Sequence, residues 1–485
     1  MDVQASVRLL PKIEGPITVS ETSYPFNAMR FSRSGLDVAG YGFVEEEYFL
    51  SATANVYTKS PDGQLQVEHA ALPYKNRILV RRPADKAKYT GRVYMDILNA
   101  SNGYDIEDLW NRSWRWILES GHAYVGVTSK PCCVQSLKFF DPQRYRTLNW
   151  SAAQSADTAP ATPYGFGSLE GTEEGLAWDI LSQAANLLRN GGMNNALGGY
   201  PVDYLCLTGQ SQSGGYINTY VDNFHPYLKD AGGKKLFDGY LNIAGVPMER
   251  SLEQEPYRDD YVRLRMLRKP DRPVDTPFIF ITSEGDTHLF SINASTLPAN
   301  SDTPEHKVRY YEIPASPHTD LACPVLPCDE ALYKVRSRPT DLSDELMSYL
   351  NDMPLAYYVN ALLEKLYTWW RDGVAPETVS RFERDAAGAL VRDEHGNTRG
   401  GLRHTFVEVP AASYCGWLAG APYGEMSGEK VPFSKAKLEA LYGSLEGYVT
   451  AFSVHVRQQI AVGWLTDTDG AEAIAWAKKT AQAAK

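Results

Sequence analysis

Four short apolar runs in the middle of the chain limit what it can fold into more than any other feature. They are "YLCLTG" (204–209), "YLNIAGV" (240–246), "PFIFITS" (277–283) and "KVRYYEIP" (307–314), and helical or loop segments separate them. A run of this length bounded by turn residues predicts a strand buried on both faces. Such strands alternating with helices predict a mainly parallel sheet covered on both sides. Upstream, "YGFVEEEYFLSATANV" (41–56), "RILVRRP" (77–83), "GRVYMDIL" (91–98) and "HAYVGVTS" (122–129) add further strands. Between them "LWNRSWRWILESG" sets Leu109, Trp110, Trp114 and Ile117 at helical spacing and stops at Gly121. A second helix, "EGLAWDILSQAANLLRN" (174–190), runs into Gly191 and Gly192. The expected class is α/β: a doubly wound, mainly parallel sheet with helices on both faces.

Beyond residue 340 the texture changes. "SDELMSYLNDMPLAYYVNALLEKLYTWWRDGV" predicts a helix pair. Ser343 is its N-cap, with Glu345 one position short of a capping box and Asp344 adding N-terminal charge. A polar, hairpin-like "LVRDEHGNTRGGLRH" and further helix in "KLEALYGSLEGYVTAFSVHVRQQIAVGWL" follow. No flexible linker precedes this region, so the expected organisation is one unit. Within it lie N-terminal strands (1–90), a catalytic core (91–340) and a packed C-terminal helical extension (341–485).

With 43% hydrophobic and 22% charged residues, the composition is that of a globular protein. A net charge of −11 with no basic stripe argues against nucleic acid or an anionic membrane as partner. No run approaches the roughly 18–20 apolar residues of a membrane span. The first twenty residues lack the basic start, apolar run and cleavage site of a signal peptide, so a cytoplasmic location is expected. Six cysteines (132, 133, 206, 323, 328 and 415) show no zinc-ribbon spacing. Cys206 lies in an apolar strand and is expected in the core. "CPVLPC" could close a small loop, but free thiols are the expectation. There is no internal repeat, and oligomeric state is not legible.

The chemistry is carried by "LCLTGQSQSGGYINTYV" (205–221). A serine hydroxyl becomes a nucleophile only when a base takes its proton and the fold holds it proud of the surface. The nucleophile elbow does this with a sharp strand-to-helix turn that needs small residues two before and two after the serine. Ser211 and Ser213 both satisfy that rule. The strand ends beside Gly209, which places Ser211 at the turn and Ser213 in the start of the helix.

The acid and the base should follow in that order. After "PFIFITS" comes "EGDTH", offering Asp286 as the acid, with Glu284 as the alternative. After "KVRYYEIP" comes "ASPHTD", placing His318 where the base belongs, whereas His288 lies beside the acid and His122 and His225 are expected to be structural. His318 would deprotonate Ser211 while the carboxylate holds the imidazole, and an acyl-enzyme would form and be hydrolysed by water. The oxyanion needs two backbone donors. One is expected from Gln212; for the other, Ser101, Asn102 and Gly103 in "NASNGYD" (99–105) are candidates, glycine allowing close approach. Tyr104 and Gln210 flank these loops and are candidate substrate contacts. Tyr104, Tyr216 and Tyr414 are compatible with an aromatic or sugar-like group, and equally with core packing.

The blocks "GFVEEEYFLSATANVY", "DILNASNGYDIEDLW", "LAWDILSQ", "GQSQSGG", "SEGD", "ASPHTD", "LYTWWRDGVAPE" and "RGGLRHTFVEVPAASYCGW" carry a family likeness. With them the chain resembles the large bacterial-type α/β-hydrolase-domain family of serine hydrolases over nearly its whole length. The resemblance implies one hydrolase unit that includes the C-terminal segment. It also implies Ser211, an acid from "SEGD" and His318 as the catalytic set. "NASNG" departs from a more glycine-rich oxyanion loop, "TSKPCCVQSL" from the usual stretch after its strand, and residues 149–173 match poorly, as substrate-facing loops of the protein's own would. The function expected is a carboxylic-ester hydrolase acting on a small-molecule ester without metal or organic cofactor. A peptidase, lactonase or acyltransferase on the same fold is the alternative, and a non-catalytic binding protein the third.

Overall fold

A computed structural model of the chain describes residues 2–150, 169, 171–246, 248–254, 273–292, 297–321, 323–339, 342–421 and 423–484. The poorly matched stretch falls largely on residues 151–168 and 170, outside those described. The chain groups into two compact units, Met1–Thr276 with Pro324–Pro339, and Pro277–Cys323 with Thr340–Lys485.

Among its described residues the first unit holds seven strands: β1 (Lys12–Glu14), β2 (Phe43–Lys59), β3 (Leu65–Pro83), β4 (Arg92–Ile97), β5 (Ala123–Val127), β6 (Tyr204–Gln210) and β7 (Gly239–Ile243). They lie side by side in the order β1-β2-β3-β5-β4-β6-β7. β4 pairs in parallel with both β5 and β6, and β6 with β7. Every residue of β5, β6 and β7 is buried, as two covered faces require. The flank is different: β1, β2, β3 and β5 pair antiparallel, and β2 and β3 form one long hairpin closed over Ser60–Gly63. That hairpin extends past both runs read from the sequence. β3 meets β5 over Ile78–Arg81 and bridges Asn149 at Lys75, so its residues before Lys75 line an edge, where exposed polar side chains and Pro73 are tolerated.

Helix Asp108–Ser120 ends at Gly121, whose left-handed backbone (φ 75°) closes it. It buries Leu109, Trp110, Trp116 and Ile117, while Trp114 stays half-exposed with its ring edge-on to Tyr41. Helix Pro131–Phe140 has no counterpart in the sequence reading. It is buried almost throughout, Gln135, Ser136 and Lys138 included, so its polar residues mark no solvent-facing side from which a helical period could be read.

In the second unit β8 (Phe278–Ser283) pairs in parallel with β10 (His306–Ile313), which carries β9 (Ser301–Thr303) on its other side. Helix Asp344–Tyr349 is capped by Ser343, which accepts from Leu346 N–H, and helix Leu355–Asp372 follows, giving the expected pair. The "LVRDEHGNTRGGLRH" stretch forms a hairpin-like ladder with bridges Arg384–Leu390 and Arg392–Thr398. The next helical stretch resolves into Lys435–Tyr442 and Leu445–Ala461, separated at Gly443, and a terminal helix Asp467–Ala483 joins them. That last helix escapes a sequence reading because its inner face is small residues, Ala473, Ala477 and Ala481. All six cysteines are free thiols. Among the described residues no helix is long and apolar enough to cross a membrane.

Candidate active site

β6 delivers its last residue, Gln210, directly to Ser211, which caps helix Gln212–Phe224. Ser211 sits at φ 52° and ψ −118°, a backbone region that non-glycine residues rarely occupy and that costs about 1–3 kcal/mol. Its amide donates to Ile243 O (2.8 Å) at the end of β7, which anchors the turn. The crowding predicted at the flanks is present: a Cβ on Gly209 would lie 2.6 Å from Ser213 O, and one on Gly214 2.5 Å from Asn242 Oδ1. The two serines differ sharply in setting. Ser211 is half-buried, whereas Ser213 is fully buried and its Oγ accepts a bond from Lys130 Nζ at 2.8 Å.

The loop after β4 is tied to this turn from both sides. Asn99 Nδ2 donates to Gln210 O (3.0 Å), and Ala100 N–H donates to Gln212 Oε1 (3.1 Å). Within the loop, Ser101 N–H donates to Asn99 Oδ1 (2.7 Å) and Gly103 N–H to Ala100 O (2.9 Å). The amide of Asn102, an exposed residue, takes no acceptor among the described residues. Of the three loop candidates, two amides are therefore committed within the loop itself. Farther along, Asp105 accepts from Thr128 Oγ1 (2.6 Å) and pairs with Arg77 (3.3 Å), which fixes the loop's far end.

The tyrosines singled out from the sequence are core residues of their own units: Tyr104 and Tyr216 in the first and Tyr414 in the second are all buried. Tyr104 packs edge-on to Phe26 at 5.7 Å, and Tyr216 donates to Glu174 beneath Lys130 and Arg250. Gln210, the other candidate substrate contact, is buried as well.

In the second unit Ser283 caps the short helix Glu284–Leu289 through a capping box with Asp286. Asp286 N–H donates to Ser283 Oγ, and Ser283 N–H donates to Asp286 Oδ2. That arrangement turns the second oxygen of Asp286 to His318, whose Nδ1 lies 2.5 Å from Asp286 Oδ1. A carboxylate only accepts, so Nδ1 carries the proton and Nε2 is the basic nitrogen of the ring. Phe290 stands edge-on to the imidazole at 5.4 Å. Glu284 is occupied elsewhere: it accepts from Ala315 N–H (2.8 Å) and Gly416 N–H (3.0 Å) and pairs with Arg392 (2.8 Å).

His288, His122 and His225 have other partners. His288 stacks on Trp417 at 5.3 Å, and burial lowers its pKa below the ordinary value. His122 bonds Thr90 (2.8 Å) between aromatic rings, and His225 bridges Tyr240 and Asp275.

A strand–Ser–helix turn beside a strand-end loop in one unit, with a carboxylate–imidazole pair on successive strand-end loops in the other, is what these residues build. The sequence model of a family described as an alpha/beta hydrolase domain matches residues 13–475. The chain belongs to the alpha/beta hydrolase domain family. The match takes in both units and ends within the last helix, Asp467–Ala483. The comparison with curated proteins gives no match. Solved structures similar to this alpha/beta hydrolase include a chain from a structural analysis of two fungal esterases from Rhizomucor miehei, at 10% identity over 74% of this chain and 95% of that one, with a TM-score of 0.36. Esterase B from Lactobacillus rhamnosis is 15% identical over 56% of this chain and 76% of its own, with a TM-score of 0.26. A lidless serine hydrolase from Xanthomonas campestris is 11% identical over 54% and 84%, with a TM-score of 0.24. None of these three likenesses bears on substrate.

Sequence reasoning passed over Lys130, Asn99 and the side chain of Gln212. For Lys130 a signal exists in "VTSKPCC", a lysine between an apolar strand and the proline-started apolar run Pro131–Val134. A charge in that setting needs buried partners.

Proposed function

We propose that this alpha/beta hydrolase cleaves small-molecule carboxylic esters through an acyl-enzyme. Ser211 is the nucleophile, His318 the general base and Asp286 the carboxylate that holds the imidazole and stabilises its cation. Gln212 N–H, at the positive end of a thirteen-residue helix, and Asn102 N–H are the oxyanion donors. The observation that carries this reading is the strained backbone of Ser211 at the tip of a buried strand, a cost a mere turn would shed by using glycine. The Asp286–His318 pair supports it, since it supplies an oriented base of the correct tautomer on the loops where the acid and base of this fold belong.

The reading requires Ser211 of the first unit and His318 of the second to meet in the working enzyme. Fluorophosphonate labelling with peptide mapping tests that directly. Label is expected on Ser211, absent in Ser211→Ala and in His318→Ala, and retained in Ser213→Ala. A folded wild-type protein that takes no label would overturn the proposal. A panel of short acyl, aryl and sugar esters then separates ester cleavage from peptide cleavage or acyl transfer.

A further inference from the structure

Lys130 is a buried charge beside the elbow that the proposed chemistry does not use. Its Nζ donates to Leu98 O (2.7 Å), Ser129 Oγ (2.8 Å) and Ser213 Oγ (2.8 Å), and it stands 4.3 Å from the centroid of the Tyr216 ring. An ammonium has three N–H donors, so every one is used. Two of these acceptors lie on the segments that carry the proposed oxyanion amides. Leu98 immediately precedes the loop that holds Asn102, and Ser213 immediately follows Gln212.

We propose that Lys130 is a positioning residue whose ammonium clamps the elbow helix to the oxyanion loop and fixes the separation of the two donor amides. The inference rests on the serine-hydrolase reading. Two neutral ties, Asn99 to Gln210 O and Ala100 N–H to Gln212 Oε1, span the same gap. Lys130 adds the charged tie, whose hydrogen bonds are roughly twice as strong as neutral ones. A fully buried lysine is costly unless its charge is used, and an apolar side chain of the same length would fill the space without that cost. Burial brings its pKa down to about 8. The titratable and charged groups around it are Cys132 and Cys133 on the following helix, Asp105 on the loop, and Glu174 and Arg250 about Tyr216. Above about pH 8 the amine loses its charge and one donor, so the clamp loosens.

The test is Lys130→Met, which keeps the bulk and removes the donors. Displacing one oxyanion donor costs a factor of about 10²–10³, so a fall in kcat of ten- to a hundred-fold is expected, with KM within about twofold. The wild type should lose kcat through an alkaline limb near pH 8 that Lys130→Met lacks, a change a purely structural role would not produce. Ser213→Ala should show a smaller kcat loss, and the double variant no more loss than Lys130→Met alone. If Lys130→Met does not fold, Ser213→Ala decides, since it keeps the lysine and removes one partner. Unchanged kcat, or a loss that leaves the alkaline limb in place, overturns the proposal. Should wild-type Ser211 take no fluorophosphonate, the hydrolase reading fails on its own. Amide exchange then decides: faster exchange in 99–103 and 212–215 of Lys130→Met, at unchanged global stability, supports the clamp, and unchanged exchange overturns it.

Discussion

Asp286 and Glu284 are two residues apart on one short helix, and the first turn of that helix separates their roles. Asp286 is at the third helical position, where its carboxylate reaches back to Ser283 N–H and still offers an oxygen to His318. Glu284 points to two backbone amides and Arg392, all in its own unit. Opposite phenotypes follow. Asp286→Asn should lower kcat by about 10⁴, the cost of a wrong imidazole tautomer, with little change in melting temperature. Glu284→Gln should keep most of kcat and lower stability by about 1–3 kcal/mol, because it removes the counter-charge of Arg392, itself 30% exposed and partly solvated. Ester kinetics and thermal melts on both variants check the pair; a larger kcat loss for Glu284→Gln would reverse the assignment. The sequence could name both carboxylates but not choose, since either fits a turn and only the capping geometry orients them. It could prefer Ser211 to Ser213, because strand and helix limits are legible in "YLCLTGQSQSGG" and the elbow lies between them.

The elements around the site were legible where one period dominates and obscure where charge is buried. β4 to β7 were readable as apolar runs. What was not readable is the polar seam that holds the loop after β4. Arg77 and Arg81 in β3 are fully buried, Arg77 pairing with Glu47 (2.8 Å) and Asp105, and Arg81 with Glu45 (2.7 Å) and Glu107 (2.6 Å). Glu45 and Glu47 alternate along β2, which pairs with β3, so opposite charges share one face of the hairpin. "VEEEY" and "RILVRR" hold that signal, but three consecutive glutamates read as a solvated edge until the register is known. Removing one partner of a buried ion pair strands the other, at about 3–5 kcal/mol. Arg77→Met should therefore destabilise the protein by that amount, measured by denaturant unfolding. Because Asp105 ends the loop proposed to carry the oxyanion donor Asn102, the same substitution should also lower kcat at saturating ester. A variant as stable as wild type would show that the seam is replaceable by apolar packing.

Over the whole chain, acid should act on the two units in opposite directions. In the second unit His404 is fully buried, its Nε2–H donates to Pro314 O (2.8 Å), and burial drives its pKa down to about 3. The unfolded chain takes up that proton near 6.5 and the folded unit does not, so stability is full above 6.5 and falls as pH drops below it. By pH 4.5 the loss is about 3 kcal/mol. In the first unit Asp179 is buried among Ser6, Asn55 and Tyr57, and burial raises its pKa to about 6. There the folded unit holds a proton that the unfolded chain releases near 3.8, so stability is lost as pH rises through 6 and regained on acidification. The gain by pH 4.5 is about 2 kcal/mol. Hydrogen exchange at pH 7 and 4.5, corrected for intrinsic rates, should show protection falling in Leu355–Asp372 while Tyr204–Gln210 holds or gains. In His404→Gln, whose amide can still donate to Pro314 O, the acid sensitivity of the second unit should shrink. Parallel loss of protection in both segments, or an undiminished loss in His404→Gln, would show that other groups govern the acid response.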